Sequence, residues 1–193
     1  MSGLRTFVVF LFLFISHQIH AVNDSVILAD KFPKTLDEFA FFEDMKAQDP
    51  ADGVLPYELI NPLFTDYSEK NRFVWMPQEE SAYYLGDSET LNFPTGTILI
   101  KNFSYNGVVP SNERKNIETR LMIKKNEGWV FANYIWNDEQ TEAVYDMDGS
   151  TVEIEWIENN ITSTVNYRIP SSSECATCHK ISDIHTPIGV KPM

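Results

Sequence analysis

The stretch "IETRLMIKKNEGWVFANYIW", Ile117 to Trp136, decides the fold. Ile117, Thr119, Leu121 and Ile123 alternate with Glu118, Arg120, Met122 and Lys124. A period of two places successive side chains on opposite faces of a strand. "NEG" interrupts the pattern, and Trp129 onward is again aromatic and apolar, so the stretch predicts a β-hairpin. Similar runs lie to either side. Upstream are "RFVWMP" from Arg72 and "GTILIKNFSY" from Gly96. Downstream are "EAVY", "TVEIEWIE" and "ITSTVNYRI", separated by "DMDGS" and "NN". Val152, Ile154 and Trp156 share one face, and Val165, Tyr167 and Ile169 can face them. The expectation is a mainly β chain of six to eight antiparallel strands, in a sandwich or open barrel. Its many aromatic residues are assigned to the core, where large side chains dominate burial.

Before the strands, "TLDEFAFFEDM" sets Thr35 and Glu38 at capping-box spacing with Leu36, Phe39 and Phe42 three apart. A short helix is expected there. "DPADGVLPYELINPLF" is rich in Pro and turn residues and reads as an ordered loop with aromatic anchors. The first residues have another character. "MSGLRT" carries one positive charge, "FVVFLFLFI" is a short apolar run, and "SHQIHA" offers small Ala21 as a cleavage point. Residues 1–21 therefore read as a signal peptide; an uncleaved anchor is the rival, disfavoured by the short apolar run. The remaining organisation expected is 22–71 as a helix-and-loop segment packed on the core, 72–170 as the β-rich domain, and 171–193 as a C-terminal attachment segment. Export implies the periplasm, secretion or the cell surface, and no integral membrane segment after cleavage. The chain of 193 residues has a formal net charge of −13, which disfavours nucleic acid and anionic membrane as partners.

Both cysteines of the chain lie in "ECATCHK", Glu174 to Lys180. C-x-x-C-H is the signature of covalent haem c attachment. Cysteines three apart lie on one side of a helical turn, so Cys175 and Cys178 can form thioethers with both vinyl groups of one haem. His179 then lies under the macrocycle as the proximal iron ligand. Three other readings compete. Cys175, Cys178, His179 and His185 have the donor types of a zinc site, although adjacent Cys178 and His179 would be strained on one metal. The pair could be redox-active, or a plain local disulfide.

The segments "LPYELINPLFTDYSEKNRFVWMP", "FPTGTILIKNF", "IETRLMIKKNEGWVFANYIWNDEQTEA" and "CATCH…TPIG" resemble a family of uncharacterised exported bacterial proteins. These carry one C-x-x-C-H after a β-rich domain and are usually labelled c-type cytochromes. Members tend to continue past the "PIG" segment, which raises the expectation of a fragment whose haem pocket is completed further on. A weaker resemblance is to cytochrome P460 and the β-type cytochromes c′, carried by "PTGTILIK", "GWVF" and the C-terminal C-x-x-C-H. In P460 proteins a lysine crosslinks to the haem; Lys101 occupies a suggestive place, though its plainer reading is a solvated lysine at a strand end.

These resemblances imply one covalent haem c and a redox partner protein. Electron transfer is the first expectation. A haem enzyme or sensor for small nitrogen or oxygen ligands is the second. A non-redox binding module with a structural zinc or disulfide is the third. For the sixth iron position Met193 has the reach but is terminal, His185 is expected to stay on the proximal side or at the surface, and Met76, Met122 and Met147 read as core. The site is therefore expected to be open or water-occupied.

Overall fold

The computed structural model describes residues 21–87 and 89–190. The leader expected over residues 1–21, apart from Ala21, and the distal candidate Met193 lie outside the described residues.

The chain is mainly β and antiparallel, as its alternation predicts. The strands are β1 (Phe42–Asp44), β2 (Asp49–Pro50), β3 (Leu55–Pro56), β4 (Glu69–Trp75), β5 (Ile98–Val108), β6 (Glu113–Lys125), β7 (Gly128–Trp136), β8 (Ala143–Tyr145), β9 (Ser150–Glu158), β10 (Ile161–Ile169), β11 (Lys180–Ile181) and β12 (Ile184–His185). Eight of them, β3 to β10, form one sheet that does not close on itself. The hairpin read from Ile117–Trp136 is β6–β7, with Leu121 opposite Ala132 and Lys125 opposite Gly128. The second expected hairpin is β9–β10, where Ile154 pairs with Val165 and Val152 with Tyr167.

Strand β5 explains how one sheet makes a two-layered body. Its first half pairs with β4 on one side, from Ile98 opposite Trp75 to Ser104 opposite Glu69. Its last residue, Val108, pairs on that side with Trp156 of β9. Between the two, the β5–β6 register shifts at Phe103/Ser104 and again between Tyr105 and Val108. Such irregularities bend a strand and increase its twist. Gly107 sits in the second shift at φ +67, and a Cβ there would meet the Ile157 carbonyl oxygen at 2.5 Å. Only glycine fits both that conformation and that approach. The β9–β10 ribbon is thereby carried over the face of β5 that bears Phe103 and Tyr105. Ile154, Trp156, Tyr167 and Ile169 pack on these rings in one cluster.

The opposite face, with Ile98, Ile100, Leu121, Ile123, Ala132, Tyr134 and Trp136, is covered by Ile27, Leu36, Phe39, Phe41, Phe42, Ala51 and Val54. Burying each such large side chain stabilises by roughly 1.5–3 kcal/mol relative to leaving it exposed. The segment before β4 is thus part of the main core. The helix expected at "TLDEFAFFEDM" is only a 3-10 turn, Leu36–Phe39. Thr35 N–H does donate to Glu38 Oε1 at 3.1 Å, as the capping spacing predicts. Ala40 then takes the left-handed conformation, φ 55 and ψ 40, and ends the turn. The reason is packing: Phe39, Phe41 and Phe42 are all buried, and a continuing helix would carry some of them into solvent. A second short helix, α1 (Asp24–Ile27), buries Ile27. No helix among the described residues is long and apolar enough to cross a membrane.

Candidate functional site

Helix α2 (Ser172–Cys178) follows β10 directly and carries both cysteines. Its start is held three ways. Ser171 N–H donates to Glu174 Oε2 at 2.8 Å, the reciprocal arm of a capping box. Arg168 Nη2 donates to the same oxygen at 2.9 Å. Ser172 N–H donates to the Met147 carbonyl at 2.9 Å. Gly149, at φ +79, admits this approach, since a Cβ there would lie 2.7 Å from Ser171 N. The hydrogen bond from Arg168, followed by those from Ser171, holds the Glu174 carboxyl down at about 2. The helix ends at His179, whose N–H donates to the Cys175 carbonyl at 3.0 Å.

Cys175 is buried, Cys178 is exposed, and both are free thiols, so the local disulfide is not formed. Burial pushes the Cys175 thiol up, against the opposing pull of the Arg120 guanidinium. Cys175, Cys178 and His179 line one cavity of about 360 Å³ between α2 and the sheet, floored by Met122 and Phe131 and edged by Arg120 and Glu174. Its walls are mostly apolar, as ligand pockets of this size class generally are.

The imidazole is oriented from behind. After His179 the chain reverses through β11–β12, with Lys180 opposite His185. Thr186 N–H donates to the His179 carbonyl at 2.8 Å. Thr186's own carbonyl accepts from His179 Nδ1 at 3.4 Å. This leaves Nε2 as the nitrogen with a free lone pair, the arrangement found behind metal-ligating histidines. Burial holds the ring below the usual histidine range; Lys101, Arg120 and His185 push the same way, and the Thr186 bond opposes them. A neutral imidazole is the ligating form. His185 is pinned elsewhere: its Nδ1 donates to the Trp129 carbonyl at 3.1 Å. The two histidines flank Phe131, with ring centroids 5.7 and 4.9 Å from it. Among the described residues no three His, Cys, Asp or Glu side chains converge as a metal cluster. The donor set Cys175, Cys178, His179 and His185 is thus not gathered for tetrahedral zinc, because the hairpin hands His185 to Trp129.

A second cavity of about 80 Å³ lies beside the first, and His179, Arg120 and Met122 line both. Its other walls include Tyr57, Arg72, Leu99 and Lys101. Here Lys101 departs from its plain reading as a solvated strand-end residue. It stands in the middle of β5, between Arg72 of β4 and Arg120 of β6. Burial lowers its ammonium to about 8, helped by Arg120, Arg72 and Lys70. Its Nζ lies 4.8 Å from the centre of the Phe103 ring, and the Arg120 guanidinium 4.1 Å from it.

Arg120 is fixed by a buried network. Glu118 is fully buried and accepts from Arg120 Nε at 3.0 Å, Asn133 Nδ2 at 2.8 Å and Tyr167 Oη at 2.6 Å. Arg120 Nη2 also pairs with its other oxygen. Sequence reasoning missed Arg72, Glu118, Arg120, Met122 and Phe131 as site residues. The one signal available was the β6 alternation itself, which puts Glu118, Arg120 and Met122 on a single face.

Comparison with known protein families, curated proteins and solved structures finds no match.

Proposed function

We propose that the chain is an exported c-type cytochrome that holds one covalent haem through Cys175 and Cys178, with His179 as proximal ligand, and serves in one-electron transfer with a redox partner protein. The observation that carries the reading is the convergence of both thiols and a neutral, back-bonded imidazole on one largely apolar cavity. The residues fit the group in three respects. Thiols three apart on one helical turn suit two vinyl groups. Met122 and Phe131 offer an apolar surface to a macrocycle. Arg72, Lys101 and Arg120 lie next to it, as a dianionic prosthetic group requires. A haem so held supplies a one-electron iron couple. The protein's own part is to fix the ring of His179 through Thr186, to exclude water with the sheet face, and to set the local charge with Arg120 and Glu118. The leader reading supports the periplasm or cell surface, where haem c is attached.

The test is an absorbance spectrum of the protein expressed with a haem c maturation system, before and after acid–acetone extraction. Colour that stays with the polypeptide supports the reading. A colourless protein, or one carrying zinc, overturns it.

A second reading, a haem enzyme or sensor for a small ligand, is favoured by one observation. The smaller cavity at His179 is lined by basic side chains and the Tyr57 phenol, groups that can hold a polar ligand. Carbon monoxide added to the reduced protein separates the two. A rapid stoichiometric change supports an open iron site, and a silent low-spin spectrum supports the electron carrier.

A further inference from the structure

Arg72, Lys101 and Arg120 occupy three adjacent strands in direct register: Arg72 is opposite Lys101, and Lys101 is opposite Arg120. Like charges set directly across a sheet are destabilising. The cost is greatest at Arg72, the buried end of the row; Lys101 and Arg120 are half-buried. Arg72 is 4% exposed, and its Nε and Nη2 have no hydrogen-bond partner among the described residues. Its one carboxylate contact runs from Nη1 to Glu58, an exposed side chain, at 3.3 Å. Lys101 is in no ion pair among the described residues. Only Arg120 has a buried counter-charge, Glu118, and that carboxylate already accepts from Asn133 and Tyr167 as well. A chain with formal net charge −13 has thus gathered three cations in one row and, among the described residues, given the middle one no ion pair and one end only an exposed carboxylate.

Desolvated guanidinium nitrogens without acceptors cost free energy that no contact among the described residues returns. All three side chains line the same cavity of about 80 Å³, with His179 on its wall. That space suits a carboxylate group or one small oxyanion, since a water's share of liquid volume is about 30 Å³. The Tyr57 phenol lines the same cavity. Burial pushes it up to about 12, so it remains a hydroxyl donor at neutral pH.

We infer that Arg72, Lys101 and Arg120, with Tyr57, form a binding site for a single carboxylate or small oxyanion in the cavity beside His179. The ligand's oxygens take up Arg72 Nε and Nη2 and the Lys101 ammonium, as charge-assisted bonds of the forked guanidinium type. The anion has two possible sources. One is a carboxylate of the prosthetic group attached at Cys175 and Cys178, which rests on the proposed function. The other is a diffusible oxyanion, which does not.

The experiment uses two preparations of the full chain, haem-loaded and expressed without maturation. Each is titrated with sodium sulfate and with sodium nitrate against sodium chloride at constant ionic strength, and unfolding temperature is followed. The unmatured protein is expected to show a saturable rise specific to the oxyanions. Arg72→Leu and Lys101→Met are each expected to weaken it about tenfold or more, the scale of a lost charge-assisted bond. Lys101 is only partly buried, so Lys101→Met gives the reading even if Arg72→Leu does not fold. If the loaded protein loses the response, the prosthetic carboxylate is the natural occupant. If it keeps the response, the occupant is diffusible. If no preparation takes up haem, the unmatured protein still decides the anion site. Absence of an oxyanion-specific response in the unmatured protein, or an undiminished response in Lys101→Met, overturns the inference.

Discussion

His179 and Thr186 hold each other in both directions. The Thr186 amide donates to the His179 carbonyl at 2.8 Å, and the His179 ring donates from Nδ1 to the Thr186 carbonyl at 3.4 Å. The reciprocal pair closes the β11–β12 turn against α2. It is the reason the last residue of C-x-x-C-H faces the sheet with a fixed tautomer and not the solvent.

If the thiols serve as proposed, each has a separate signature. Cys175→Ala or Cys178→Ala leaves one thioether and one unreacted vinyl, which shifts the reduced alkaline pyridine spectrum to longer wavelength. The double variant retains no haem after acid–acetone extraction. Full covalent retention in the double variant would refute the attachment.

The Glu118 network sets a stability hierarchy. Tyr167→Phe removes one of several donors to a buried carboxylate and is expected to cost about 1–2 kcal/mol in urea unfolding. Glu118→Ala leaves Arg120 without its counter-charge and is expected to cost more, about 3 kcal/mol. Equal losses in the two variants would show that the carboxylate does not hold the guanidinium.

Lys101 makes stability depend on alkaline pH. Its folded pKa, about 8, lies below the ordinary 10.5, so between these values the unfolded chain binds more protons than the folded one. Stability contributed at this site rises with pH across that window, and the penalty is complete below pH 8. The charges facing it are Lys70 and Arg72 from β4, Arg120 and Glu118 from β6, and His179 from the C-terminal segment. Lys101→Met is expected to flatten the rise, measured as the difference from the parent protein in urea midpoints from pH 7 to 10.5. An unchanged slope would place the ammonium in solvent.

Glu174 works in the opposite direction. Its folded pKa of about 2 is below the ordinary 4.5, so its contribution is present above pH 4.5 and is lost as pH falls through 2. It caps α2 and pairs with Arg168 at 2.9 Å, so Glu174→Gln should reduce the acid sensitivity of unfolding in that range. It should also expose the buried Cys175 to faster thiol alkylation. Identical alkylation rates in the two proteins would show that the cap does not hold the helix.

The strands were legible because alternation of side chains is a local property: Ile117–Trp136 and Thr151–Ile169 each specify a hairpin from their own composition and turns. C-x-x-C-H was legible for the same reason, since the spacing of Cys175, Cys178 and His179 is covalent. The "TLDEFAFFEDM" turn shows the limit of local signals. Its capping pair formed as read, but the burial of Phe39, Phe41 and Phe42 ended the helix after one 3-10 turn.

The site's chemistry depended on register, which no local window contains. Nothing in "RFVWMP", "ILIKNF" or "IETRLM" alone says that Arg72, Lys101 and Arg120 stand side by side. Nor does it say that β9–β10 will fold over to bring Tyr167 to Glu118. By itself the sequence determined an antiparallel β chain with a C-terminal C-x-x-C-H. Only the tertiary structure decided that the motif's imidazole shares a cavity with a partly buried row of cations. The charge there is set by Arg72, Lys101 and Arg120, 19 to 48 residues apart in sequence, and long-range pairing alone makes them neighbours.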